Sequence, residues 1–181
     1  MVNLGELILR KFKNIAGSRY EEIIRAYQEF FLTEEELKIP VISSILLVVD
    51  RFSPEPPNEL YEVLVSYPSA IVKVVYIIDE AIYSIIRETL GESGARKFRD
   101  TEETYGKETL NKISSKLSEL GINFTTELIF AEKATFVEDA VREHDLLAIS
   151  KHFGSESLKT HTLSPLVFRI MQRIEKPVVI Y

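Results

Sequence analysis

Hydrophobic positions follow two different periods along this chain. Over residues 1–39 they recur at helical spacing: Leu4, Leu7, Ile8, Phe12 and Ile15, then, after a break at Gly17-Ser18, Tyr20, Ile23, Ile24, Tyr27, Phe30 and Phe31. Ser18 with Glu21 forms a capping box for the second of these helices, and Thr33 with Glu36 caps one more turn before Pro40. From Val41 onward, short apolar runs alternate with amphipathic stretches. The runs Ser44–Val49 and Ala70–Ile78 are nearly continuous, as expected of parallel strands covered on both faces. Further strands are predicted over Phe124–Phe130, from Asp145 to Ser150, and over Val178–Tyr181.

Helical patterns fill the gaps. Asn58 is placed to cap a short helix carrying Leu60, Tyr61, Leu64 and Val65. Asp79 to Leu120 reads as helix interrupted at Gly91 and Gly94, with Leu110, Ile113, Leu117 and Leu120 on its buried face and Gly121 as its stop. Phe136, Val137, Ala140 and Val141 make one stripe, and a last helix is predicted from Ser164 to about residue 175. This alternation predicts an α/β fold: a five-stranded, mostly parallel open sheet in three Rossmann-like layers, with right-handed crossovers and helices on both faces. Residues 1–40 are read as a helical extension and 41–181 as the α/β domain.

Composition narrows the function. A chain of 181 residues suits one well-buried domain plus an appendage. Its net charge of −6 argues against nucleic acid as a partner, since phosphate binding needs clustered positive charge. With no cysteine there is neither a disulfide framework nor a thiolate site. No signal-peptide pattern and no apolar run of bilayer length is present, so a cytoplasmic protein without a membrane span is expected. Arg10, Lys11 and Lys13 beside Leu7, Ile8 and Phe12 resemble a membrane-surface helix, but Glu6 and the acidic second helix oppose that. Docking of these helices on the domain or on a second copy is expected instead.

Open parallel sheets bind ligands beyond the carboxyl ends of their strands, where strand order reverses. Two segments qualify: Val49-Asp50-Arg51-Phe52 after the first strand, and Ser150 through Ser164 after the fourth. Asp50 can accept hydrogen bonds from a ribose or base, or it can cap its own loop, with Arg51 neutralising it. The second loop holds Lys151, His152, Lys159 and His161 with Ser155, Ser157, Thr160 and Thr162. It can be an anion site built from side chains, or an ordinary solvated loop. His152 and His161 lack a third ligand at zinc spacing, and His144 reads as a helix-end cation. No nucleophile elbow, phosphate loop of the Gly-x4-Gly-Lys type or His-Glu-x2-His pair occurs, so no catalytic residue is identified.

Val49-Asp50, Asp145-Leu-Leu-Ala-Ile-Ser150 and Pro177-Val-Val-Ile-Tyr181, in this order of elements, resemble the universal stress proteins. Their first strand ends in Val-Asp, their fourth reads Asp-Leu-Ile-Val-Met-Gly and their last begins Pro-Val. The resemblance covers residues 42–181. Members that bind ATP carry a loop Gly-x2-Gly-x9-Gly-Ser/Thr. Here Ser150 replaces the first glycine, Gly154 fits the second only with one inserted residue, and Ser164-Pro165 replaces the closing pair. The resemblance therefore implies a non-enzymatic stress or regulatory protein with weak or lost ATP binding and no required cofactor. It also implies a homodimer formed through the C-terminal edge strand, the N-terminal helices, or both. The alternative is a sensor that takes ATP or AMP with Mg, or another small anion, using Val49, Asp50, Ser150, Lys151, His152, Gly154 and Ser164. A nucleotide hydrolase on the same site ranks behind both, and a receiver-domain reading is weakened because Asp50 lacks a neighbouring acidic pair.

Overall fold

The computed structural model describes residues 41–155 and 162–181. The capping boxes and aromatic faces read over residues 1–39, like Ser157, Lys159, Thr160 and His161, lie outside the described residues. Among the described residues the elements run β1 (Ser44–Val49), α1 (Asn58–Val65), β2 (Ile71–Asp79), α2 (Glu80–Glu119), β3 (Phe124–Ala131), α3 (Lys133–Ala140), β4 (Leu146–Ile149), α4 (Pro165–Met171) and β5 (Val178–Ile180), with a 3-10 turn at Val141–Glu143. All pairings are parallel and the strand order is β3-β2-β1-β4-β5. The first strand is thus central, order reverses between β1 and β4, and β5 forms one edge.

Strand periodicity divides the core between the two faces. Ile45, Leu47, Val49, Val72, Val74, Tyr76, Ile78 and Ala148 pack with Leu60, Tyr61 and Leu64 of α1 and Leu110, Ile113 and Leu117 of α2. Leu46, Val48, Val75, Ile77, Leu147 and Ile149 pack with Ala134 and Val137 of α3 and Val167 and Ile170 of α4. Strands buried on both sides have no polar face, which is why β1 and β2 read as continuous apolar runs.

Local signals set most boundaries. Asp79 caps α2 by accepting from the N–H groups of Ala81 (3.0 Å) and Ile82 (3.3 Å). Gly121 closes α2 at φ 68°, its N–H donating to Ser118 O and that of Ile122 to Leu117 O, a Schellman ending. Three expectations are corrected. Only Gly91 breaks α2, at φ 74°, and the helix runs through Gly94. Pro57, not Asn58, holds the cap position of α1, and no side chain caps it. Helix α4 ends at Met171 rather than near residue 175. There the Arg173 N–H turns to Ile170 O, and Pro177, which disfavours helix in the residue before it, follows.

Candidate functional site

The sequence following β1 is Asp50-Arg-Phe-Ser53, a pattern that folds back on its own aspartate. Asp50 Oδ1 accepts from the N–H groups of Phe52 (3.1 Å) and Ser53 (3.0 Å) and from the Ser53 hydroxyl (2.8 Å). Its Oδ2 accepts from Lys133 Nζ and from the Gly154 N–H, each at 2.7 Å. Asp50 is fully buried and both carboxylate oxygens are in use. Five donors around one carboxylate are what its burial requires, since an ion taken from water must be paired and hydrogen-bonded.

Lys133 opens α3, and its side chain reaches from the exit of β3 across β2 to β1. It too is buried, with Asp79 Oδ2 at 3.5 Å as a second carboxylate. Its ammonium lies 5.4 Å from the Phe52 ring centroid and 5.6 Å from that of Phe153, where ring quadrupoles favour a cation. Glu132 caps the same helix, accepting from Thr135 N–H at 2.7 Å, and its bonds to Thr135 hold its carboxyl below the usual range.

Residues after β4 complete the cluster. Ser150 is buried, and its hydroxyl accepts from the His152 N–H at 3.1 Å. The Lys151 N–H donates to Tyr181 O at 2.7 Å while the Lys151 side chain is exposed. Phe153 is fully buried. Gly154 sits at φ 81°, and a Cβ there would collide with Leu166. Ser164 donates its hydroxyl proton to Phe153 O, accepts from Val167 N–H at 3.1 Å and thereby caps α4, whose first residue, Pro165, has no N–H to offer.

The fold therefore brings Val49, Asp50, Ser150, Gly154 and Ser164 to the exits of β1 and β4, with Lys151 and His152 on the connecting turn. Arg51 does not neutralise Asp50. It pairs with buried Glu102 of α2 at 2.6 Å and lies 5.4 Å from the Tyr105 ring, while Glu102 also accepts from Tyr76 Oη at 3.2 Å. Burial, then Glu102, pushes the Tyr76 phenol far up. His144 donates from Nδ1 to Ala140 O at 2.7 Å, satisfying a carbonyl at a helix end. Sequence reasoning missed Lys133. The available signal was a lysine in the first turn of a helix, where the dipole disfavours a cation unless a carboxylate holds it.

No protein-family model and no curated protein sequence matches the chain. Solved structures do. The universal stress protein UspA from Lactobacillus plantarum is 15% identical, with a TM-score of 0.63 over 78% of this chain and 99% of its own. A universal stress protein family member from Burkholderia pseudomallei is 19% identical, with a TM-score of 0.58 over 79% of this chain and 98% of its own. A universal stress protein from Archaeoglobus fulgidus is 17% identical, with a TM-score of 0.52 over 77% and 93%. At such identities the likeness is one of fold, and the α/β part of this chain has the universal stress protein fold.

Proposed function

We propose that this chain is a regulatory protein of the universal stress protein fold whose switch-point site is filled by its own side chains. It acts through protein contacts as a homodimer and neither turns over nor stores a nucleotide. One observation carries the reading: the Asp50 carboxylate, placed where a ligand would meet the end of β1, is fully buried and takes all five of its hydrogen bonds from this chain. A ribose or base reaching it would have to displace Lys133 or Gly154 and leave a buried group unpaired, which costs about 1–3 kcal/mol or more for a charge. Lys133, the buried cation there, is already shared between Asp50 and Asp79. The α4 start offers little to a phosphate, because Ser164 uses the Val167 N–H and Pro165 has none. The homodimer is supported by β5, a short apolar strand at the sheet edge, a position that invites pairing with another chain.

The test is a thermal melt with and without millimolar Mg·ATP or Mg·AMP. Ligand at about a hundred times its Kd adds about 2.7 kcal/mol to the folded state. An unchanged melting temperature is expected, and a rise of several degrees would refute the filled-site reading. Sedimentation velocity at micromolar protein tests the dimer, and a monomer throughout that range would remove it.

A further inference from the structure

The first part of α2, residues 80–90, is not held like the rest of that helix. It contains no buried residue, whereas Ala95, Glu102, Leu110, Ile113 and Leu117 further along are buried. Among the described residues, no member of either core comes from 80–90, and Ile85 and Leu90 are 63% and 68% exposed. Apolar burial therefore does not fix this segment, which places it at the low-stability end of the fold. It meets the rest of α2 at Gly91, whose φ of 74° and ψ of −179° fall in a region that belongs to glycine. The corner folds Leu90 back onto Gly94, where an added Cβ would lie 2.7 Å from Leu90 Cβ. Both glycines can also take helical angles, so the sequence permits the corner without enforcing it.

A hold on the segment lies at its root. Asp79 Oδ1 accepts from the N–H groups of Ala81 (3.0 Å) and Ile82 (3.3 Å), and Asp79 Oδ2 lies 3.5 Å from Lys133 Nζ. One carboxylate thus caps the first turn and pairs with the buried cation that also binds Asp50 at 2.7 Å. Further along, the Tyr83 ring meets Phe130 edge-on at 5.1 Å. Asp79 is therefore shared between the switch-point cluster and the start of the segment, and the position of the Lys133 ammonium bears directly on that first turn.

We propose that residues 80–90 are a strap that pivots at Gly91 and is latched to the switch-point cluster by the Asp79–Lys133 pair. Drawing Lys133 away from Asp79 frees the strap, which couples the state of the β1 exit to the surface carrying Ile85 and Leu90. The latch stands whether or not a nucleotide binds, so its test is separate from the melt described above.

The chain has no cysteine, so the exposed positions of Glu88→Cys and Lys112→Cys accept a pair of spin labels for a distance measurement by double electron–electron resonance. A continuous helix would separate these positions by about 36 Å, and the corner shortens that. The labelled parent should give one narrow distance below the straight-helix value. Asp79→Asn keeps a side-chain oxygen that caps as well and removes the charge facing Lys133, so it should broaden the distribution. In a Lys133→Met background the same change should add nothing further, because the latch is already open. Gly91→Ala, whose new Cβ would meet nothing within 4 Å, should move the distance to the straight-helix value. An unchanged distribution in Asp79→Asn would overturn the latch, as would equal broadening with and without Lys133. A Gly91→Ala distance equal to that of the parent would overturn the pivot. If Lys133→Met does not fold, Asp79→Asn decides the latch alone, since it leaves the Asp50–Lys133 bond in place.

Discussion

Replacing Lys133 by methionine is the sharpest probe of the switch-point cluster. The change keeps an unbranched, helix-compatible stem between Phe52 and Phe153 and removes only the ammonium. The Asp50 carboxylate then stays buried without its counter-ion. Removing one partner of a buried ion pair costs about 3–5 kcal/mol, and the range reflects how much solvation the survivor retains. Asp50 keeps four donors within 3.1 Å, namely the N–H groups of Phe52, Ser53 and Gly154 and the Ser53 hydroxyl. That places the expected loss near the lower end, about 3 kcal/mol. At roughly 2–4 °C per kcal/mol for a chain of this size, the melting temperature falls by about 10 °C.

The assay is urea denaturation, with midpoint and slope read separately; an unchanged slope shows that stability, not denatured-state compactness, has moved. Asp50→Asn should also destabilise, because whichever way the amide turns its NH2 faces donors, Lys133 and the Gly154 N–H on one side or the Phe52 and Ser53 N–H groups on the other. Removing both charges together spares each the cost of an unpaired partner, so Asp50→Asn with Lys133→Met should lose clearly less than the sum of the singles. A Lys133→Met variant within about 1 kcal/mol of the parent, or a double variant equal to the sum, would refute the claim that this pair is a coupled, desolvated unit.

Three further outcomes follow from geometry. Gly154→Ala should cost at least about 1–3 kcal/mol in chemical denaturation, since it combines φ 81° with a collision against Leu166 beside the Asp50 hydrogen bond. Gly106→Ala should cost about 1–3 kcal/mol, because the new Cβ would lie 2.6 Å from Tyr76 Cδ1 and 2.9 Å from Leu128 Cδ1; a neutral result would mean that helix and sheet separate easily there. Asp145, held well below the ordinary carboxylate range by the N–H and hydroxyl of Ser43 and then by Ser44, stabilises the fold above its unfolded pKa of about 3.9 and loses that contribution as pH falls below it. Asp145→Asn should therefore be less stable than the parent at neutral pH and lose less on acidification, the two curves of urea midpoint against pH converging in acid.

What could be read from the sequence was whatever depends on near neighbours along the chain. The continuous runs of β1 and β2, the stop at Gly121 and the Ser164 cap each follow from a few adjacent residues. The polar contacts that decide the site depend on strand order, which hydrophobic pattern does not encode. Arg51 adjoins Asp50 in sequence, yet consecutive residues at a strand end point to opposite faces, so Arg51 meets Glu102 on the α2 side while Asp50 meets Lys133. The Asp145 clamp is visible only when β1 and β4 are known to be neighbours in the register Ile45 opposite Leu146, which sets Asp145 beside Ser44.

Both ends of the central strand are thus fastened by carboxylates. Asp145 holds its entry and Asp50 its exit, through contacts to Ser43 and Ser44 at one end and to Lys133 and Gly154 at the other. The residues that mark the switch point as a place for a ligand are the same ones that fasten β1, and a carboxylate committed to five internal donors has nothing left for a sixth. Under the filled-site reading, a partner would be met at a surface such as a sheet edge. Among the described residues β5 is one such edge, and Lys151, the residue that follows Ser150, donates its N–H to the carbonyl of Tyr181 immediately after that strand. Tyr181 also donates its own N–H to Ile149 O at 3.1 Å, so under this reading a partner strand docking on β5 would reach the exit of β4 through the β4–β5 ladder and the two hydrogen bonds of Tyr181, with no ligand between them.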